Sequence, residues 1–303
     1  MAVRRTEIDV RGPFSLGAAA GFGFGPNEGR PAPFAGTMRL AFAVDAPAGA
    51  SGYAGVALRQ AVEDGPLEAT IELDGAEVEP GAVERQVARI LSLDHDGNGF
   101  RAAGERDPVL GRLQQAHPGQ RPVLFHSPYE AAAWSVISAR RRASQAAPVR
   151  QAIARELGRM FTVDGETVAA FPGPDRLLAL APGAGLTAEK VERLHAIARA
   201  ALEGDLGAER LRGLGSERAY EDVQRLPGIG PFYAGLIVLR AAGFTDAMLE
   251  RPEPRGLAHI RRYYRLEASA GQSEVMALAE RWRPFRTWAL VLIRLAGDRG
   301  TPL

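Results

Sequence analysis

Three stretches in the first quarter of the chain, 37–44, 55–60 and 68–75, alternate apolar and polar residues with a period of two. Each is bounded by Gly, Pro or Asp, so they predict strands of an antiparallel sheet. The stretch 83–93 (VERQVARILSL) instead spaces its apolar residues three and four apart, which predicts a helix. Residues 13–36 are rich in Gly, Pro and Phe and read as an irregular opening segment. Residues 1–115 are therefore expected to form a small α+β domain.

From Ser127 onward the pattern is helix after helix. SPYEAAAWSVIS begins with Ser127, Pro128 and Glu130, the signature of a capping box with Pro at the first helical position. The stretches 147–157, 174–180, 187–202, 219–226, 231–242, 256–264, 273–280 and 285–296 all carry helical patterns broken by Gly or Pro. Residues 116–303 are expected to form an all-α domain, with no internal repeat.

A length of 303 residues suits two domains of this size. No apolar run approaches the 18 or so residues of a spanning helix, and MAVRRTEIDVRGPF lacks the apolar centre of a secretory signal. A cytoplasmic protein with no membrane partner is expected. The absence of cysteine excludes disulfides, thiolate metal sites and cysteine nucleophiles. The net charge is only +1, but residues 120–160 hold seven Arg against two acidic residues, and residues 251–303 ten Arg against five. Such stretches suit either a footprint for phosphates or solvated helix faces. Lys190 is the only lysine.

The segment most suggestive of chemistry is 224–238, QRLPGIGPFYAGLIV. A helix end is followed by Leu226-Pro227-Gly228-Ile229-Gly230, and Pro231 opens an apolar helix. Glycines in so tight a turn let backbone N–H groups face outward together, and the next helix start adds partial positive charge. One DNA phosphate fits such a corner, through Pro227, Gly228, Ile229 and Gly230. An ordinary helical hairpin needing Gly for its backbone is the alternative.

With this segment, LSLDHDGNGFRAAGERDPVLGRLQQAHPGQRPVLFHSPYEAAAWSVIS (91–138), AFPGPDRLLAL (170–180), LTAEKVERLHAIARAALEG (186–204) and ERWRPFRTWALVLIRLAG (280–297), the chain resembles the helix-hairpin-helix DNA glycosylases. Within them it is similar to the 3-methyladenine DNA glycosylase II branch. The resemblance implies a TATA-binding-protein-like α+β domain ahead of the helical one. It also implies an activity, hydrolysis of the N-glycosidic bond to a damaged base flipped out of duplex DNA. In relatives an Asp shortly after the hairpin's second helix stabilises the positive charge that develops on the sugar. Here that region reads FTDAMLERPEPRGL (244–257), without an Asp at the expected place. Counted from Asp246, the nearest carboxylate is Glu253, one residue out of step. Glu253 is the candidate catalytic residue, with Asp246 and Glu250 as alternatives. A Glu253 that only favours the start of the next helix would leave a catalytically inactive DNA-damage-binding protein on the same fold.

The resemblance also assigns a pocket. Glycosylases that cut the backbone carry a Lys two residues after the second glycine, and here that position is Phe232, which implies a monofunctional enzyme using water. An aromatic face there suits a cationic alkylated purine. The branch's further aromatics correspond to Leu236 and Arg294, so the pocket is less aromatic than in relatives. Phe125, Tyr129, Trp134 and Tyr233 either line it or belong to the core. The apolar wedge that fills the gap left by the flipped nucleotide corresponds to Arg140, preceded by Ala139 in place of a Gln. Arg140, Arg141 and Arg142 either contact DNA or form an exposed basic turn. His126, His195 and His259 lack metal-ligand spacing, and no metal or other cofactor is expected. Asp94, Asp96, Asn98, Gly99 and Glu105 do fit a calcium-loop pattern, as an alternative reading of that segment. The expected partner is double-stranded DNA with a damaged base, bound by a monomer.

Overall fold

The computed structural model describes residues 2–22, 34–45, 52–75, 78–79, 81–183, 185–248 and 254–303. Strands β1 (Ala2–Ile8), β2 (Met38–Ala43), β3 (Tyr53–Arg59) and β4 (Leu67–Asp74) form an antiparallel sheet in the order β1-β4-β3-β2. The three alternating stretches are β2, β3 and β4, with Leu40 opposite Val56 and Val56 opposite Ile71. β1 escapes the apolar pattern because, among its described side chains, Ile8 alone is buried in the core; it is held by backbone pairing to β4 from Ala2↔Leu73 to Ile8↔Leu67.

The helices are α1 (Leu16–Ala20), α2 (Ala82–Ile90), α3 (Gly97–Arg106), α4 (Pro108–Ala116), α5 (Pro128–Ser138), α6 (Ala143–Leu157), α7 (Pro174–Leu177), α8 (Ala188–Leu202), α9 (Ala208–Leu214), α10 (Ser216–Val223), α11 (Pro231–Ile237), α12 (Pro254–Tyr264), α13 (Gln272–Ala279) and α14 (Arg286–Asp298). α1 and α2 cover one face of the sheet, where Phe42, Val56, Leu58, Val87 and Ile90 are buried together. The other face is covered by a hairpin, β5 (Arg159–Val163) and β6 (Glu166–Ala170), so residues 116–303 are not all helical. Phe161, Val163 and Ala170 pack on Ala41, Tyr53 and Ala57. With both faces covered, β3 is buried from Tyr53 to Leu58. Gly55 leaves room for the hairpin: a Cβ there would stand 2.7 Å from Cγ of Phe161.

Two helical cores follow. α5, α6, α8, α10 and α11 bury Trp134, Ile153, Leu194, Val223 and Ile237 in one. In the other, Phe100, Leu110 and Leu113 of α3 and α4 pack against Trp282, Trp288 and Ile293. Residues 97–115, grouped by sequence with the sheet, thus share a core with the last helices. Asp107 organises this junction. One carboxylate oxygen caps α4, accepting from Val109 and Leu110 N–H at 3.0 and 3.1 Å, and the other accepts from Trp282 Nε1 at 3.1 Å.

Arg121 ties these layers together. Fully buried, its guanidinium donates to the carbonyls of Arg11, Gly12, Pro13, Ser92 and His95 at 2.5–3.2 Å and lies 5.7 Å from the ring of Trp288. The expected capping box at α5 is half formed. Ser127 Oγ accepts from Glu130 N–H at 3.0 Å, but the Glu130 carboxylate turns inward to Arg150 at 2.7 Å and His126 at 3.3 Å. Burial alone would raise the Glu130 carboxyl; the charges and hydrogen bonds of His126 and Arg150 outweigh it and bring the pKa down to about 2.

Candidate nucleic-acid interface

α10 ends at Val223, the chain turns through 224–230, and α11 starts at Pro231. Ile229 N–H donates to the Leu226 carbonyl at 3.0 Å and its side chain is buried in the helical core, which pins the middle of the turn from below. Pro227, Gly228 and Gly230 remain exposed. Gly228 takes φ +88°, a left-handed conformation that favours glycine. Gly230, at φ −89°, has no such need, and a Cβ there would meet nothing within 4 Å. Only one of the two glycines is therefore dictated by the chain's own conformation. Gly230 leaves open space in front of α11, whose first N–H groups lack helical partners and carry partial positive charge. A five-residue π-helical turn, 238–242, continues α11 and ends at Gly243 with φ +83°.

Phe232 lies in the first turn of α11 and is 65% exposed, its ring edge-to-face with Tyr233 at 5.3 Å. Leu236 is half-buried one turn on. Arg240, a further four residues along, is buried with its guanidinium 4.7 Å from the Phe22 ring and donates to the Val123 carbonyl. Burial, then the charge of Arg294, lowers its pKa to about 9. Arg294, on α14, pairs with Asp298 at 2.8 Å. Phe125, Tyr129 and Trp134 belong instead to the helical core. α5 runs through the middle of that core with every residue buried, so its aromatics are packing groups. The Tyr129 hydroxyl is already committed to the Pro172 carbonyl at 2.9 Å.

Of the three candidate carboxylates, Glu250 and Glu253 lie outside the described residues. Asp246 is an anchor. It accepts from Arg286 Nε at 2.9 Å, Arg286 Nη2 at 3.1 Å, Arg286 N–H at 3.3 Å and Arg283 Nη1 at 2.8 Å. Thr287 adds two hydrogen bonds, N–H to the Thr245 carbonyl at 2.9 Å and Oγ1 to that of Ala247 at 2.7 Å. The chain after the hairpin is thereby clamped to the start of α14, with both Asp246 oxygens accepting from guanidinium and amide donors.

Past α5, Arg140 is exposed at φ +59°, Arg141 donates to the Gly185 carbonyl, and Arg142 begins α6 with its N–H on Gln145 Oε1 at 3.2 Å. The lone lysine closes α5 from α8: Lys190 Nζ donates to the carbonyls of Ile137 and Ala139 at 2.9 and 3.0 Å. The calcium pattern does not form a loop. Asp94 pairs with Arg212 at 2.7 Å, Asp96 caps α3, and the remaining positions are wound into that helix. His195 contacts the Leu180 carbonyl and His259 contacts Asp298, each at 3.0 Å, and no metal-binding cluster of His, Asp or Glu occurs among the described residues. No described helix is long and apolar enough to cross a membrane.

No family model matches the chain. Over 196 residues it is 30% identical to DNA-3-methyladenine glycosylase 2 of Escherichia coli, covering 61% of this chain and 63% of that one. Over 204 residues it is 23% identical to the DNA-3-methyladenine glycosylase of Bacillus subtilis, covering 66% and 67%. The matched stretch thus spans about two thirds of these relatives. The solved 3-methyladenine DNA-glycosylase from Archaeoglobus fulgidus superposes with a TM-score of 0.73 at 22% identity, over 98% of this chain and 100% of that one. Around its exposed hairpin the chain thus shares the fold of the solved Archaeoglobus fulgidus glycosylase, and over part of its length it is similar in sequence to DNA-3-methyladenine glycosylases.

Proposed function

We propose that the protein is a monofunctional DNA glycosylase of base excision repair, a monomer that flips a damaged, alkylated base from double-stranded DNA and hydrolyses its N-glycosidic bond. One observation carries this reading. The hairpin presents Gly230 to open space beside a helix start and a Phe232 ring left in water, an arrangement that folding alone does not require. Backbone amides there suit one phosphate, and a ring at that depth suits an extruded base. Under this reading the carboxylate is Glu253, on the segment that links the clamped stretch around Asp246 to α12. It stabilises charge at the sugar and orients water.

Absence of lyase chemistry is part of the proposal. Phe232 occupies the place of the amine, and Lys190 is held by the end of α5. The N-terminal sheet with α2 corresponds, in this reading, to the TATA-binding-protein-like domain of the branch. Incubating the protein with alkylated DNA and identifying released bases by mass spectrometry tests the activity. Glu253→Gln should abolish release while DNA binding is kept; release that persists removes Glu253 from its role. A second reading, a DNA-damage-binding protein without catalysis, is favoured by the saturated state of Asp246 and the absence of an Asp at the family's position. It predicts salt-sensitive binding and no released base.

A further inference from the structure

α8 runs beneath the hairpin. The stem of Arg193 lies directly under the turn: a Cβ on Gly228 would stand 3.0 Å from Arg193 Cδ, 3.5 Å from Nη1 and 3.6 Å from Nε. Lys190, three residues earlier on the same side of α8, comes within electrostatic reach of both Arg193 and Arg141, whose charges, after burial, lower its pKa. Three cations are thus gathered between the 139–142 turn and the hairpin. Among the described residues the one carboxylate bonded to any of them is Glu189, which accepts from Arg193 at the exposed surface. Like charges held this close repel, and a bound anion relieves the repulsion. Arg193 is also partly exposed, 37% of its side chain being open to water, so its guanidinium can swing from Glu189 to the turn above it.

Resting on the glycosylase reading, we infer that Arg193 is a phosphate-binding residue of the hairpin: it adds a side-chain cation to the backbone amides of Gly228, Gly230 and Phe232 and continues their grip toward Lys190 and Arg141 along the same DNA strand. A phosphate held by the exposed amides of the turn comes within reach of a guanidinium rooted beneath Gly228, and a charge-assisted hydrogen bond from it is stronger than one from a neutral amide. Glu189 then holds Arg193 extended in the absence of DNA and competes with the phosphate.

The test uses the full chain and a duplex oligonucleotide carrying an uncleavable abasic-site analogue, with affinity read by fluorescence anisotropy across a salt series. Arg193→Ala should weaken binding about tenfold and flatten the slope of log affinity against log salt by about one. Arg193→Lys should keep the slope and lose less affinity. Glu189→Gln, which frees Arg193, should tighten binding about threefold in the wild-type background and not in Arg193→Ala, a dependence that loss of a surface negative charge alone would not produce. Unchanged affinity and slope in Arg193→Ala, with Gly230→Ala still weakened, overturns the clamp and leaves the glycosylase reading standing. Loss of affinity with an unchanged slope overturns it as well, because the arginine would then be supporting the fold. A wild-type chain with no salt-dependent affinity for the duplex sinks both.

Discussion

The Asp246 carboxylate meets Arg286 through Nε at 2.9 Å and Nη2 at 3.1 Å, an arrangement that joins the segment after the hairpin to the first residue of α14. Asp246→Asn keeps the shape and removes the charge. The expected result is a loss of about 1–3 kcal/mol in stability, since hydrogen bonds to charged groups are worth about that much, with base release reduced but present. Urea unfolding and single-turnover kinetics check both. Complete loss of release at full stability would instead make Asp246 the catalytic carboxylate.

Glu130 links pH to folding. Its carboxyl is held at about 2 in the folded protein, below the ordinary value of 4.5. As pH falls, the unfolded chain therefore takes up this proton first and unfolding is favoured. The contribution of the Glu130, Arg150 and His126 cluster is complete at neutral pH and fades between the ordinary glutamate value and about 2. Glu130→Gln, which leaves Arg150 without its carboxylate, should cost about 3–5 kcal/mol. It should also flatten the acid limb of stability measured by denaturant unfolding from pH 6 downward.

The two hairpin glycines should separate stability from binding. Gly228→Ala forces a side chain into left-handed backbone and toward Arg193, at an expected cost of about 1–2 kcal/mol. Gly230→Ala should change stability by no more than about 0.5 kcal/mol. It should nevertheless weaken DNA binding by roughly tenfold, as expected when a methyl group intrudes on a charge-assisted contact. Thermal unfolding and anisotropy on the same samples decide.

Removing Arg121 should be the most damaging of these changes. Arg121→Met leaves the part-buried carbonyls of Gly12, Pro13 and His95 and the buried one of Ser92 without this donor, and that of Arg11 with only the Gly97 N–H; a fully buried loss costs about 1–3 kcal/mol unless water enters. A melting temperature lowered by ten degrees or more is expected; a shift under about two degrees would show that water replaces the guanidinium.

Much of this architecture was legible in the residues. β2 to β4 and the long helices announce themselves because one face of each meets the core. β1 does not, since its partner is a backbone. The β5–β6 hairpin carries a sequence signal of its own: Asp164-Gly165 between FTV and ETVAA is a strong turn pair, and both residues take positive φ. The all-helical expectation failed there because a run of helices on both sides masked a short alternation. α3 and α4 also escaped, their sequence being glycine-rich and their helices stabilised by the caps Asp96 and Asp107. Of the site, the glycine turn was legible and its surroundings were not. That Tyr129 and Trp134 pack inward, that Asp246 is clamped, and that Arg193 lies below Gly228 all depend on contacts between residues far apart in the chain.

Phe100, Leu110 and Leu113 are kept dry by Trp282 and Trp288, more than 150 residues further along. During synthesis the early helices must therefore wait, partly wetted, until the ribosome has delivered α14. The clamp on Asp246 waits with them, because Arg283 and Arg286 arrive equally late. A nascent chain halted short of those residues would hold a finished sheet beside helices still half wetted, so the arrival of α14 decides when the second helical core can close.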